Sequence, residues 1–562
     1  MKKYLSIICI ALAALFMGSC SNDLLNLENP NALTKGTAFN SEGDINTTLT
    51  SCYHSFYSSY YAMMSSNQFS GQSDECLTYS TTDLINYIML HYANYSWNWN
   101  NCTWNQLYQQ VFRCNQVIEF AENNVTEWKT YDKNQILAQA KAIRAYAYYQ
   151  LTMLYGKIPY VDYVTEAGDQ PAEQNFDQLC QHIVDDAEFA YKTLPASYFG
   201  GACRPEYAGQ YRVTKWFAAC VLGKTYMNWN HQYAKALPYY KDIVENGGFR
   251  LVADYNDNFN ITTENNSESI WEIQNYANTA GAGGAYYGRN NNGATPDYGM
   301  WRWKFYGLSP LGWGDYDAER WLLWAFKNEK TVTDTPTTTA GMYDPRLEAT
   351  LLYTDIFNDF PAHNQWGYTN YDLWKNRGTR VMINKYVAQY ENGVQVNSDN
   401  CEGTNNRIFR LGEIKLDYAE CLAQTGDLTG AIAQIDDVRQ RAGLAKLADR
   451  EPVASVYVNP DNDSSNDMNA DYYGYAAIKA GNITLEAIMN VLDIEDAKET
   501  AFECERFVDI RRWGIGDMGS YYNRIANRSD KFKQDFQAHK IWLPIPVAEV
   551  SNNPNLNQNT GY

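Results

Sequence analysis

The stretch Arg410–Leu444, RLGEIKLDYAECLAQTGDLTGAIAQIDDVRQRAGL, is the one that decides the fold. Its apolar residues recur at helical spacing on both sides of Gly426-Asp427, which predicts two helices, Ile408–Thr425 and Thr429–Ala442. Small side chains allow two such helices to pack closely, and this stretch supplies Ala419, Ala423, Ala431, Ala433 and Ala442. We therefore expect an antiparallel helical pair here.

Alanine-rich pairs of this length resemble tetratricopeptide repeats, but the full repeat consensus is absent, so periodicity alone predicts a helical-pair scaffold. The clearest upstream helix is Asn134–Tyr155, which Gly156 ends, with Pro159 shortly beyond. Further helical patterns are Asp44–Tyr61, Asn105–Glu122, Asp177–Leu194, Val213–Met227 and Tyr233–Glu245. The scaffold is therefore expected over about 40–250 and 406–445, in a mostly α protein.

A different region separates the two parts of the scaffold, at about 255–405. It is rich in Gly, Asn, Thr, Trp and Tyr, and Ser269–Asn275 alternates like a short strand. We interpret it as a large loop-rich insertion with short strands that carries the function. The C-terminal tail, Pro544–Tyr562, is rich in Pro and Asn, and we expect it to be non-helical and to lie along the body.

The N-terminus has the pattern of an export signal. Lys2 and Lys3 precede an apolar run, Ile7–Phe16, that is too short to span a bilayer. Small residues then lead into Cys20, which resembles a lipobox and predicts a signal peptide over 1–19, lipid on the Cys20 thiol and a polar tether over 20–36. A single domain would follow over 37–562. The alternative is an ordinary secreted protein with an incidental cysteine.

Composition narrows the ligand classes. The formal net charge is −20, which argues against nucleic acid, because phosphate binding needs clustered Lys and Arg. Aromatic residues make up 15% of the chain, with 46 Tyr and 16 Trp. Tyr and Trp can stack on the flat apolar faces of sugars, although most of these rings are expected in the core.

No pattern for catalysis, metal or cofactor binding is complete. The six histidines are scattered, and the chain has no H-E-x-x-H, G-x-S-x-G, P-loop or C-x-x-C motif. Asp461–Asp471 alternates acids like a calcium loop but lacks its glycine and its final glutamate. We therefore expect no metal and no cofactor, and no motif indicates a particular catalytic class. The many carboxylates leave a glycosidase pair open on composition alone.

Two aromatic clusters are the candidate ligand sites. Trp97 and Trp99 alternate with asparagines, including Asn101, and so combine stacking faces with hydrogen-bond partners for sugar hydroxyls. The alternative is that these two rings pack under a loop. Trp104 is expected to open a core helix. The second cluster lies beside glycines, which indicates loops, and consists of Tyr286, Tyr287, Trp301, Trp303 and Trp313. Trp321 and Trp324 follow on a helical stretch and are expected in the core.

Several segments, in order, resemble SusD/RagB-type outer-membrane lipoproteins of the Bacteroidetes. The quoted helix pair resembles the family's "RLAE…YAEA…VR-x-RAG" segment. The other matching segments are Ala138–Tyr160 (AQAKAIRAYAYYQLTMLYGKIPY), Asn266–Gln274 (NSESIWEIQ), Asp344-Pro345-Arg346, Glu505–Gly514 (ERFVDIRRWG) and Pro544–Tyr562 (PIPVAEVSNNPNLNQNTGY). The "GWG" segment at Trp313 resembles the family's "GW" turn, and Asp74 resembles a position near ligand.

The resemblance implies a SusD-like fold and binding without turnover. It implies that the protein captures a neutral oligosaccharide or polysaccharide at the cell surface, anchored in the outer membrane, and passes it to a TonB-dependent, SusC-like transporter. The alternative within the family is a peptide-binding lid of the RagB type. From the residues alone, we expect six arginines of these segments to join packed helices by pairing with Glu413, Glu420, Asp509 and helix C-termini. They are Arg410, Arg439, Arg441, Arg506, Arg511 and Arg512.

Overall fold

The computed structural model describes most of the chain from Phe39 onward. The described residues are 39–58, 60–61, 70–77, 98–199, 209–275, 302–306, 313–353, 356–359, 380–387, 390–391, 394–395, 403–451, 474–503 and 505–562. Buried apolar side chains from Ile45 to Leu556 form one contiguous core. Among the described helices, none combines the length and the apolarity needed to cross a membrane.

Six helices in the first half pack one against the next, as the periodicity predicts. α2 contacts α3, α3 contacts α4, α4 contacts α5 and α5 contacts α6. Their bounds are α1 (Glu42–His54), α2 (Asn98–Asn123), α3 (Lys133–Tyr155), α4 (Phe176–Thr193), α5 (Lys215–Asn228) and α6 (Tyr233–Asn246). The first helix ends before its predicted end at Tyr61, with a 3-10 turn over Ser55–Tyr57.

A specific residue defines each end of α3, and its C-terminal end lies against the C-terminal segment of the chain. Asp132 caps its first turn, where the carboxylate accepts the Asn134 N–H at 2.9 Å. Gly156 ends it with φ +75°, and a Cβ there would lie 2.7 Å from the Trp542 ring. Gly156 therefore serves both the left-handed turn and the close approach of the C-terminal segment.

The predicted downstream pair is present as α11 (Leu411–Gln424) and α12 (Leu428–Arg441). Because α6 contacts α11, the pair extends the upstream stack. Of the five small residues expected between its helices, Ala433 is exposed and the other four are buried. The predicted start at Ile408 is wrong, because Ile408 belongs to a strand that pairs antiparallel with Ser269–Ile273.

The region between the scaffold parts contains short strands, as expected, and also short helices. The described strands are β1 (Cys76–Leu77), β2 (Ile158–Pro159), β3 (Glu173–Gln174), β4 (Ser269–Ile273), β5 (Asp317–Ala318), β6 (Leu351–Leu352), β7 (Met382–Ile383), β8 (Tyr390–Glu391), β9 (Val394–Gln395) and β10 (Asn406–Arg410). The largest described sheet has four strands in the order β1-β5-β7-β6. The helices here are α7 (Arg302–Tyr306), α8 (Arg320–Lys327), α9 (Arg346–Thr350) and α10 (Ile356–Asp359).

The C-terminal part adds a helix that carries buried charge. α14 contacts α11, α12 and α8, so it lies between the helical pair and the loop-rich region. The helices of this part are α13 (Tyr475–Lys479), α14 (Leu485–Thr500), α15 (Arg506–Arg512), α16 (Ser520–Arg528), α17 (Asp530–Asp535) and α18 (Val547–Asn552). The periodicity did not predict α14.

A buried network of ion pairs joins α14 to its neighbours. Glu499 accepts hydrogen bonds from Arg410 Nη1 at 2.6 Å and from Arg346 Nη1 at 3.2 Å. Glu495 accepts one from Arg346 Nη2 at 3.1 Å and pairs with Arg439. All five side chains are at most 1% exposed, so each charge depends on its partners for solvation.

The arginines therefore join packed helices as predicted, but mostly through carboxylates other than the predicted Glu413, Glu420 and Asp509. Arg512 pairs with Glu420 and with Asp509, each at 2.7 Å, as expected. Glu413 pairs instead with Lys224. Arg511 donates to the Met153 carbonyl in the last turn of α3, which fits the predicted role at a helix end.

The C-terminal tail lies along the body, as predicted, and amide side chains hold it there. Asn559 Nδ2 donates to the carbonyls of Tyr155 at 2.8 Å and Leu543 at 2.7 Å. Asn100 Nδ2 donates to the Pro544 carbonyl at 2.7 Å. The prediction of a wholly non-helical tail is wrong, because Val547–Asn552 forms α18.

Candidate functional site

Trp313 presents an exposed ring on a rigid base. The residue is 43% exposed, and its ring contacts that of Phe305 with centroids 5.1 Å apart and planes at 86°. Phe305 is fully buried in α7, and its carbonyl accepts the Asp315 N–H at 2.9 Å. Gly314 has φ +62°, a left-handed turn that glycine adopts without strain. The exposed indole is therefore packed against a buried residue of α7.

The segment after Trp313 enters the four-stranded sheet. Tyr316 is buried with its ring 6.0 Å from Phe305, and β5 pairs with β1 and β7. Asp317 forms an ion pair with Arg380 at 2.5 Å. The exposed ring thus stands at the margin of a well-supported sheet, which is the pre-organisation that a stacking platform requires.

Asn101 lies in the first turn of α2 and offers an unused acceptor. Its Oδ1 is buried and has no hydrogen-bond partner among the described residues. The neighbouring Asn100 is structural, because its Oδ1 accepts from the Tyr155 hydroxyl at 2.8 Å. Trp104 is 4% exposed and packs edge-on against Tyr155, as expected for a core residue. Asn101 therefore keeps a buried acceptor that no hydrogen bond within the described residues uses.

Asp74 does not have the geometry of a ligand contact. It is 0% exposed, and its carboxylate accepts hydrogen bonds from Arg506 Nε at 2.9 Å and Arg528 Nη2 at 2.6 Å. Burial alone would raise its pKa, but the two guanidinium groups hold the pKa of Asp74 below its usual range. The expectation that Asp74 contacts ligand does not fit this buried ion pair, and Asp74 belongs to the scaffold.

The backbone beside Asp74 nevertheless lies next to the Trp313 segment. The Asp74 carbonyl accepts the Trp321 Nε1–H at 2.6 Å, and the Glu75 carbonyl accepts the Glu319 N–H at 2.7 Å. Trp321 and Trp324 are 1% and 5% exposed and lie in the core, as predicted. Asp74 therefore anchors the sheet that supports Trp313.

The other candidate aromatics lie partly or wholly outside the described residues. Trp97, Tyr286, Tyr287 and Trp301 lie outside them. The backbones of Trp99 and Trp303 lie in α2 and α7, while their side chains are outside the description. The structure thus brings Trp303 into the helix that supports Trp313. No cluster of His, Cys, Asp and Glu suited to a metal ion occurs in the described ranges.

Another exposed aromatic pair was not predicted from the sequence. Phe199 and Tyr211 are 45% and 47% exposed. The signal was present, because Phe199 precedes Gly200-Gly201 and Tyr211 follows Gly209-Gln210, the same glycine context that pointed to Trp313. It was missed because the surrounding sequence lies between two scaffold helices.

Comparisons with known proteins agree with the fold. The family model described as "SusD family" matches residues 267–562. A second family model, described as "Starch-binding associating with outer membrane", matches residues 23–227. SusD-like protein P25 of Formosa agariphila is 26% identical over 482 residues, which cover 82% of this chain and 79% of that protein.

Solved structures of the same fold cover nearly the whole chain. A SusD superfamily protein from Bacteroides vulgatus superposes with a TM-score of 0.72 at 20% identity, covering 94% of this chain and 100% of that one. Surface glycan-binding protein A from Bacteroides thetaiotaomicron, in complex with laminarihexaose, superposes with a TM-score of 0.64 at 20% identity, covering 92% of this chain and 99% of that one. The mostly helical fold predicted from the sequence is confirmed.

Proposed function

Because the chain belongs to the SusD family, we propose that it captures neutral glycans at the outer-membrane surface without cleaving them. The observation that carries this proposal is the exposed indole of Trp313, fixed from below by Phe305. An exposed indole that already packs against a buried ring is suited to the apolar CH face of a sugar, and it would lose little side-chain freedom when the sugar binds.

The proposed hydrogen-bonding group is the Asn101 side chain. Asn101 contributes a buried acceptor without a partner in the described part of the chain. Trp97, Trp99, Tyr286, Tyr287, Trp301 and Trp303 complete the proposed set of ligand-binding residues. A glycan would then meet aromatic faces and hydrogen-bonding side chains together, which is the combination that selects a neutral sugar over an ion.

The anchor and the partner follow from the same proposal. Cys20 would carry the lipid after cleavage of residues 1–19, and residues 20–36 would tether the body. The lipobox-like sequence supports the anchor, and the family description "associating with outer membrane" supports the location. The body would rest on a SusC-like, TonB-dependent transporter and deliver the bound glycan to it.

A glycan-array screen of the mature protein tests this function. We expect retention of at least one class of neutral oligosaccharide or polysaccharide, and no retention of single-stranded or double-stranded nucleic acid. The retained glycan is then incubated with the protein overnight and separated by chromatography. Released shorter products would contradict the non-catalytic role. Retention of peptides and of no glycan would favour a peptide-binding protein instead.

A further inference from the structure

A second exposed aromatic pair is carried by the segment of chain that connects α4 to α5, and it shares no residue with the Trp313 segment. Phe199 and Tyr211 are each nearly half exposed, at 45% and 47%. Their ring centroids are 5.0 Å apart and their planes are tilted by 51°. Two large rings placed together at the surface expose apolar area that a folded chain would ordinarily bury.

Backbone hydrogen bonds fix the two segments that carry these rings. The Gly209 N–H donates to the Tyr198 carbonyl at 2.7 Å, and the Lys215 N–H donates to the Pro195 carbonyl at 3.1 Å. The Tyr198 hydroxyl donates to the Val213 carbonyl at 3.3 Å. The two segments are therefore tied together below the rings, and the aromatic pair is pre-positioned.

A cavity of about 180 Å³ adjoins the pair. Its apolar floor is formed by Trp216, Phe249 and Trp271. Trp271 is 7% exposed, and its Nε1 has no hydrogen-bond partner among the described residues. The indole N–H can only donate, so no described residue uses its hydrogen-bonding capacity.

The two charged groups that line the cavity already have partners within the protein. Glu272 pairs with Arg407 at 3.2 Å. Arg212 donates to the amide oxygens of Gln210 at 2.6 Å and Gln139 at 2.9 Å, and it lies over the Tyr53 ring. The cavity therefore offers aromatic faces together with charged groups that are already engaged, a combination suited to an uncharged polyhydroxylated ring. Its volume is below the roughly 300–1,000 Å³ of pockets for drug-sized ligands, which fits a single ring.

We propose that Phe199, Tyr211 and the cavity beside Trp271 form a second carbohydrate-binding site, which takes one neutral sugar ring. The ligand class rests on the proposed function, but the site shares no residue with the Trp313 platform. Two separated sites would let the protein hold a long glycan at two points. Such bivalent attachment strengthens retention on a polymer beyond the affinity of either site.

Ligand-observed saturation-transfer NMR isolates this second site when Trp313 is replaced. The probes are the methyl glycosides of glucose, galactose, mannose and xylose, added to full-length mature W313A protein. We expect saturation transfer to at least one glycoside, and a fall to background in the W313A/F199A/Y211A variant. The matched control is W313A/Y163A, since Tyr163 is exposed to a similar extent, 42%; its signal should be unchanged.

Each other outcome has a defined meaning, provided that the unfolding midpoints of the variants agree. Equal signals from W313A and W313A/F199A/Y211A, or no signal from W313A, would overturn the second site. Loss of signal in the Tyr163 control as well would also overturn it. If the wild type and W313A bind equally and only F199A/Y211A abolishes binding, the second site stands and the Trp313 assignment fails.

Discussion

Glu499→Gln is expected to lower the free energy of unfolding by about 3–5 kcal/mol. Glu499 is fully buried in α14 and pairs with Arg346, Arg410 and Arg441. Burial alone would raise its pKa, but these three guanidinium groups hold the pKa of Glu499 far below its usual range. Glutamine keeps the shape of the side chain and removes its charge, so each of the three buried guanidinium groups would lose one carboxylate partner.

Glu451→Gln is the matched control for this prediction. The Glu451 side chain is 80% exposed and pairs with Lys479 at the surface. Exposed pairs contribute about 0–1 kcal/mol, so its unfolding midpoint should remain close to that of the wild type. Urea unfolding followed by circular dichroism measures both variants. Equal midpoints for the two variants would show that the buried network does not hold α14 in place.

Asp74→Asn should destabilise the protein by a similar amount, about 3–5 kcal/mol. Arg506 and Arg528 each pair with both Asp74 and Asp493, and the substitution removes the charge of one of these two carboxylates.

The adjacent Glu75→Gln is expected to change stability by less than about 1 kcal/mol at pH 6. Burial raises the pKa of Glu75 to about 8, and the nearby Asp74 carboxylate adds to this effect. Glu75 is therefore already uncharged at pH 6, and glutamine resembles its native form.

The contributions of Glu75 and Asp74 to stability change with pH in opposite directions. The folded-state pKa of Glu75, about 8, exceeds the value of ~4.3 expected for the unfolded chain. The folded state therefore keeps a proton that the unfolded chain has lost, and this group's contribution falls by up to roughly 1.4 kcal/mol per pH unit as pH rises through that window. Asp74 has a lowered pKa, so its contribution is present above ~3.9 and is lost as pH falls.

Urea unfolding of the wild type and both variants between pH 6 and pH 8 checks this pair. We expect Glu75→Gln to gain stability relative to the wild type with each step in pH, whereas Asp74→Asn should be less stable throughout. A constant difference between Glu75→Gln and the wild type across this range would contradict a protonated Glu75.

The helices of the scaffold could be predicted because the signals that specify each helix lie within its own stretch of sequence. The periodicity of α3, its stop at Gly156 and the small residues of α11 and α12 all act within one or two turns. The strand Asn406–Arg410 was mistaken for the start of a helix because its partner, Ser269–Ile273, lies far away in the chain. Only tertiary pairing overrides the helical pattern of this segment.

The sequence did not predict α14, for a related reason. Its acidic residues, among them Glu495 and Glu499, suggest a solvated segment, yet they are buried. Their partners include Arg346 and Arg439, which are separated from them by 56 to 153 residues in sequence. Burial of charge depends on partners that meet only in the folded chain, so composition could not reveal it.

The same limit applies to the site. Glycines beside an aromatic residue correctly indicated the exposed Trp313, since turns leave a ring uncovered. Resemblance to the family placed Asp74 near ligand, whereas its two arginine partners bury it. Phe199 and Tyr211 had the same glycine context as Trp313 and could have been predicted by the same reasoning.

Isothermal titration calorimetry of the Trp313→Ala variant tests the central claim most directly, with the oligosaccharide that binds best in the array. The Tyr163→Ala variant is the matched control, because Tyr163 is 42% exposed and Trp313 is 43% exposed. We predict that Trp313→Ala weakens binding by about tenfold, or ~1.4 kcal/mol, while Tyr163→Ala leaves the affinity unchanged. Equal affinities for the wild type and Trp313→Ala would contradict the assignment of Trp313 as the glycan-binding platform.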